Sequence, residues 1–217
     1  MPGKLTYFPL GIRGELIRAI CFKAGHDFED QTLTQEEFGK MKAEGKFPLG
    51  SLPTWDEDGI QYCQSNAILR MLGIHFGFYT DDATIAWEID SLVDYMEENV
   101  NDYFGRCVKT IFGGEVEESD DAKFLAYFDK MIPFLEGRLM GHSTKKYIAG
   151  TDTLTIADLK VYQTFIMLTH IEANPVSQEL KDQVKAKIAE KAKLSAYLTM
   201  LAEDMKPWLE ARQPYPV

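Results

Sequence analysis

The chain has 217 residues, of which 45% are hydrophobic and 12% aromatic, enough for a sizeable core in one large domain or two small ones. Its formal net charge is −11, unevenly placed: residues 1–80 carry 8 Lys and Arg against 10 Asp and Glu, and residues 81–217 carry 15 against 24. That balance argues against nucleic acid or anionic membranes as partners, and no run of 18 apolar residues predicts a membrane-crossing helix.

The first residues, "MPGKLTYFPLGIRGELIRAI", are interrupted by Arg13, Glu15 and Arg18 and lack the apolar run of a signal peptide. Cys21, Cys63 and Cys107 form no paired framework and no CxxC. A reducing, cytosolic compartment is therefore expected.

In chain order, "KLTYFPL" (4–10) predicts a short strand and "GELIRAICFKAG" (14–25) an amphipathic helix closed by Gly25. "DFEDQTL" (27–33) reads as a second strand. "TQEEFGKMKAEG" (34–45) reads as a short helix with Thr34 as N-cap and Glu37 in the capping-box position. "LPTWDEDGIQYC" (52–63) reads as a hairpin turning at Asp58-Gly59, and "SNAILRMLGIHFG" (65–77) as the helix that closes the unit. The order β-α-β-α-β-β-α implies a mixed sheet with helices on both faces. At the last junction, Ser65 and Asn66 are suited to an N-cap. Gln64-Ser65 also places polar side chains beside the unpaired N–H groups of a helix start, which is a site for an anion. The less acidic first third is the better place for such a ligand.

From Asp82 onward only helical spacing recurs, over 83–112, 119–141, 155–171, 177–190 and 195–211. Breaks are expected at 112–115, 141–153 and 172–175. The stretch "GFYTDD" (77–82) reads as a linker between domains at 1–80 and 83–217. In "TLTIADLKV" (153–161), Thr155 as N-cap and Asp158 three residues on form a capping-box variant, with Leu154 and Leu159 as its hydrophobic staple. That motif speaks of folding, not chemistry. His26, His75, His142 and His170 have no ligand spacing, and HExxH, Walker and GxGxxG patterns are lacking, so no metal or nucleotide site is expected.

With its motifs "KLTYFPLGIRGELIR" and "YCQSNAILRMLGIHFGFY", this order of elements resembles the cytosolic glutathione S-transferases over essentially the whole chain. The first motif is similar to the start of the tyrosine-type classes (mu, pi, sigma), and the second is closest in pattern to pi. Cys21 lies inside the first helix, a poor match to the cysteine-nucleophile classes. The resemblance implies a thioredoxin-like N-terminal domain with a mixed four-stranded sheet, followed by an all-helical domain that contributes the electrophile pocket. It further implies a cytoplasmic homodimer that uses glutathione as cosubstrate, attacks an apolar electrophile and needs no metal.

By the same resemblance, Tyr7 activates the glutathione thiol. A free thiol with a pKa near ~8.5 is only about 3% thiolate at pH 7, and reaching a pKa near ~6.5 takes about 2.7 kcal/mol of differential stabilisation. A neutral phenol donating to the sulfur favours the charged form and supplies a large share of that energy. Arg13, expected just before the first helix, adds a fixed positive charge. Leu52-Pro53 is expected to be cis by resemblance, turning the Leu52 backbone toward the cysteinyl residue. Gln64 and Ser65 would hold the γ-glutamyl carboxylate.

Phe38, Lys42, Lys46 and Ser51 lie where the glycyl end would bind. Phe38 stands where the family usually has Trp and lacks its N–H donor, and the register leaves Lys42 and Lys46 as alternatives. Asp90, Asp94, Glu97 and Glu98 recur on one side of a helix, which suits a solvated face. By resemblance, Glu98 instead reaches across a dimer interface to the partner's glutathione. Phe8, Leu10, Phe104 and Val108 suit an apolar pocket for the second substrate and equally suit core packing. Two other functions fit the same residues: a glutathione-requiring isomerase of the prostaglandin type, and a non-catalytic binding or structural protein.

Overall fold

The computed structural model describes residues 3–171 and 174–216. Its four strands are β1 (Lys4–Tyr7), β2 (Glu29–Thr32), β3 (Thr54–Glu57) and β4 (Ile60–Cys63), in the sheet order β2-β1-β3-β4. β1 is central. It pairs in parallel with β2, Tyr7 opposite Thr32, and antiparallel with β3, Leu5 opposite Trp55. A central strand loses both faces to the core, so Leu5, Thr6 and Tyr7 are all buried. The parallel pair requires a crossover, and α1 (Ile12–Ala24) supplies it. The antiparallel β3–β4 pair needs only the predicted turn, where Asp58 and Gly59 both adopt positive φ, 50° and 80°. α2 (Gln35–Ala43) opens with the predicted Thr34–Glu37 capping box, and α3 (Ser65–Phe76) ends at Gly77 in the left-handed conformation. This is the thioredoxin-like unit that the sequence implied.

Three local expectations are corrected. β1 stops at Tyr7, not residue 10, because the Leu10 N–H turns back onto the Phe8 carbonyl at 2.7 Å around Pro9, which has no N–H to extend a ladder. α1 begins at Ile12, after Gly11, so Arg13 lies inside its first turn and not ahead of it. The N-cap of α3 is Gln64, at φ 71°, and Ser65 is already helical.

The rest is helical: α4 (Ala83–Ile111), α5 (Glu118–Gly141), α6 (Ile156–Val161), α7 (Met167–His170), α8 (Gln178–Ala189) and α9 (Ala192–Ala211). Between α6 and α7 a π-helical turn (Tyr162–Ile166) interrupts what the spacing predicted as one helix over 155–171. The predicted break at 172–175 falls partly on residues 172 and 173, outside the described residues, as are residues 1, 2 and 217 that the predicted domains included. No helix among the described residues is long and apolar enough to cross a membrane.

Two buried carboxylates organise this half. Asp158 forms the predicted capping box with the Thr155 N–H and hydroxyl, both at 2.8 Å, and also accepts from the Ile148 N–H and the Tyr197 hydroxyl. Glu15 of α1 accepts from the Tyr162 hydroxyl, the Trp208 indole N–H and the Arg212 guanidinium, fastening the first helix to the last. α3 and α6 cross closely at Gly73, where a Cβ would stand 2.8 Å from Ile156 Cγ2.

Candidate active site

Tyr7 closes β1, and its side chain is 5% exposed. Its hydroxyl oxygen accepts the backbone N–H of Arg13 at 3.2 Å, which leaves the phenolic proton free to be donated. Burial lifts the Tyr7 phenol above its ordinary value, against the pull of that N–H and of the Arg13 and Arg18 charges. The group is therefore a neutral donor at pH 7. Arg13 meets Tyr7 through its backbone, because its guanidinium turns away to pair with Glu97 of α4. The other Glu97 oxygen accepts from Lys160 Nζ of α6 at 2.8 Å. Burial works against ionisation of Glu97, but Lys160 and Arg13 outweigh it and hold the carboxyl below its ordinary range.

Tyr7 opens onto a cleft of about 480 Å³. Phe8, Leu10, Ile12, Arg13 and Gln35 line it from the sheet unit, and Asn101, Phe104, Gly105, Val108 and Phe112 line it from α4 and its C-terminal end. The four apolar residues singled out in the sequence thus meet in one place, together with Tyr7. Positions 97, 101, 104 and 108 recur at helical spacing, so a single face of α4 supplies both Glu97 and the far wall.

A second, small cavity of about 10 Å³ joins Ser65 and Asn66 at the start of α3 to Arg13, Glu97, Lys160 and Gln163. Gln64 is exposed and makes no side-chain cap, so the first N–H groups of α3 have none. A non-glycine residue held at φ 71° marks a place where surrounding structure enforces the backbone. The Leu52–Pro53 bond is cis, with Pro53 buried and Ser51 exposed. Phe38 packs edge-on against Phe8 at 5.4 Å, and Lys42 lies over the Phe38 ring at 5.5 Å. The Lys42 chain also passes Gly50, where a Cβ would be 3.3 Å from its Cε. Lys46 and Glu98 are exposed, away from both cavities.

The loop that carries Phe8 and Leu10 is held from behind. Buried Arg18 donates to the Leu10 carbonyl at 2.7 Å and pairs with Asp30. The chain's far end reaches the same loop: the Gly11 N–H donates to the Pro216 carbonyl at 2.7 Å, and the Tyr215 ring lies 4.7 Å from the Arg18 guanidinium.

Glu97 and Lys160 are the site residues that sequence reasoning missed. In sequence Glu97 reads as part of a solvated acidic face, yet it stands seven residues before Phe104, on the inward side. Lys160 sits in a stretch that is otherwise wholly apolar or capping, and a Lys there needs a buried acid. Of the other acids, Asp90 pairs with Arg70 and Tyr79, while Asp94 and Glu98 face outward. Burial pushes the Cys21 and Cys107 thiols up to about 12, so neither offers a thiolate at neutral pH.

Residues 101–200 match the family model described as the glutathione S-transferase C-terminal domain. The chain is 34% identical over 163 residues to glutathione S-transferase 1 of Ascaris suum, covering 73% of this chain and 76% of that one. It is 29% identical over 204 residues to glutathione S-transferase 3 of Caenorhabditis elegans, covering 92% and 97%. Its fold superposes with a TM-score of 0.81 on a crystal structure described as monomeric Na-GST-3, a glutathione S-transferase of the hookworm Necator americanus, at 26% identity and 98% coverage of both chains. The chain belongs to the glutathione S-transferase family.

Proposed function

We propose that this protein transfers glutathione to an apolar electrophile, with the Tyr7 hydroxyl stabilising the glutathione thiolate. The observation that carries the reading is the state of Tyr7. It is a buried, neutral phenol whose oxygen is already satisfied by the Arg13 N–H and whose proton is free to donate at the mouth of a 480 Å³ cleft. A charge-assisted bond from that proton lowers the thiol pKa, and the preformed thiolate attacks the electrophilic carbon held beside Phe8, Leu10, Phe104 and Val108. The sulfur–carbon bond forms as the leaving group departs with its electron pair, or as an activated double bond takes up the pair and then a proton.

Glutathione would extend from Tyr7 across the edge of the sheet. The uncapped start of α3 supports Gln64 and Ser65 as the γ-glutamyl carboxylate site. The cis Leu52–Pro53 pair would present the Leu52 backbone to the cysteinyl residue. Lys42, lying over Phe38 and beside Gly50, is a better partner for the glycyl carboxylate than the outlying Lys46, with Ser51 exposed nearby. The class we assign is the tyrosine type, with the N-terminal motifs closest to pi. The division at 1–80 and 83–217 gives the two domains. The scheme requires no metal.

A cytoplasmic homodimer completes the proposal. Ile74 of α3, Trp87 of α4 and Met140 of α5 are each more than 60% exposed, unusual for large apolar side chains. In such a dimer the outward Glu98 would reach the partner's glutathione. Sedimentation analysis tests this, and a monomer at micromolar concentration removes that role for Glu98.

The test of the chemistry is a pH titration of bound glutathione by thiolate absorbance, on the wild type and Tyr7→Phe. A thiol pKa well below the free value in the wild type, lost in Tyr7→Phe, supports the transferase reading. An unshifted pKa in both makes this a binding protein on a transferase scaffold.

A further inference from the structure

We infer that Lys160 is a positioning residue of the glutathione site, and that it cancels the charge of Glu97 so that the start of α3 can accept a carboxylate. The inference rests on the glutathione reading above.

The difficulty it resolves is local. Ser65 and Asn66 at the anion-binding end of α3 share a small cavity with Glu97. A carboxylate there repels an incoming anion. Arg13 alone does not remedy this, since Arg13 and Glu97 sum to zero. Lys160 alters the balance: with its ammonium 2.8 Å from Glu97, the three side chains carry one net positive charge. Lys160 is only 4% exposed, so bulk water and salt screen it weakly. Its place in the fold is fixed by four hydrogen bonds to Asp158, two of them the Thr155 capping box, which set the start of α6 and so aim position 160 at α4. A folding motif in the second domain thereby controls the charge seen by a ligand of the first.

The experiment measures binding of S-methylglutathione, which keeps both carboxylates and has no ionisable thiol, by calorimetry. The proteins are the wild type, Lys160→Met, Lys160→Gln and the double variant Glu97→Gln with Lys160→Met. Each single variant should bind about tenfold more weakly or worse. The double variant should recover to within about threefold of the wild type, because Arg13 alone again carries the positive charge. Lys160→Gln keeps an N–H donor for Glu97 while losing the charge, so it carries the test if Lys160→Met fails to fold. Single variants that bind as the wild type does overturn the inference. So does a double variant as weak as Lys160→Met, which would assign the loss to packing. A wild type that does not bind S-methylglutathione overturns the glutathione reading itself, and this inference with it.

Discussion

Gly14 lies directly against the ring of Tyr7: a Cβ at that position would stand 2.6 Å from Tyr7 Cδ1 and 3.0 Å from Cγ. The ring has no easy retreat, since Tyr7 is buried and its oxygen is tied to the Arg13 N–H. Gly14→Ala must therefore move either α1 or the phenol. Overpacking of this kind costs about 1–3 kcal/mol of stability. The expected signature is a larger loss of activity than of stability, with the thiol pKa of bound glutathione moving back toward its free value. Paired thermal melts and thiolate titration check it.

The raised pKa of Tyr7 separates two origins for the pH dependence of turnover. The phenol stays protonated through neutral pH and past its usual range near ~10, because burial disfavours the phenolate. The rise of activity with pH should then report glutathione's thiol, not Tyr7. An ultraviolet difference titration of wild type against Tyr7→Phe should show no tyrosinate from Tyr7 below that range. Its appearance near neutrality would contradict this assignment.

Glu97 gives stability a dependence on acid. Its folded pKa is held below the ordinary carboxylate value, so its contribution is fully present above the unfolded value near ~4.3 and is lost as pH falls through the folded one. Glu97→Gln should be less stable than the wild type at neutral pH and should lose less on acidification. Melting temperatures across that range test the sign.

Asp158 is wholly buried and accepts four hydrogen bonds. Asp158→Ala leaves the Thr155 and Ile148 N–H groups and the Tyr197 hydroxyl without their acceptor, a loss of about 3–5 kcal/mol. Denaturant titration should show a lower midpoint. The refolded fraction should still bind S-methylglutathione, weakened through the displaced Lys160.

Removing the chain from residue 213 onward deletes the Pro216 carbonyl that holds the Gly11 N–H, and the Tyr215 ring over Arg18. The Phe8–Leu10 wall should loosen. We expect KM for the apolar substrate to rise several-fold, with the thiol pKa of bound glutathione little changed. Steady-state kinetics beside the thiolate titration separate the two.

The sheet domain was legible because its signals are local. The Thr34–Glu37 box, the Asp58-Gly59 turn and the glycine stops at 25 and 77 each act within a few residues. The Thr155–Asp158 box was legible for the same reason. The π turn at Tyr162–Ile166 has no such short-range signature. Tyr7 could be read from its motif, but its bond to a backbone N–H six residues away depends on where α1 begins, which is two residues before the start that the apolar spacing predicts. Glu97 and Lys160 were missed because each is one charge among many in sequence. Only the packing of α4 on α6 makes them partners.

Glu15 has a consequence for how the protein is made. Its carboxylate is satisfied by Tyr162, Trp208 and Arg212, and all three leave the ribosome long after the sheet has been synthesised. A nascent chain that halts before residue 208 holds an ionisable side chain in α1 with two of those partners missing, and its Gly11 N–H lacks the Pro216 carbonyl that accepts it. The N-terminal unit should therefore be a poor stand-alone fold during translation, closing only when the last helix docks.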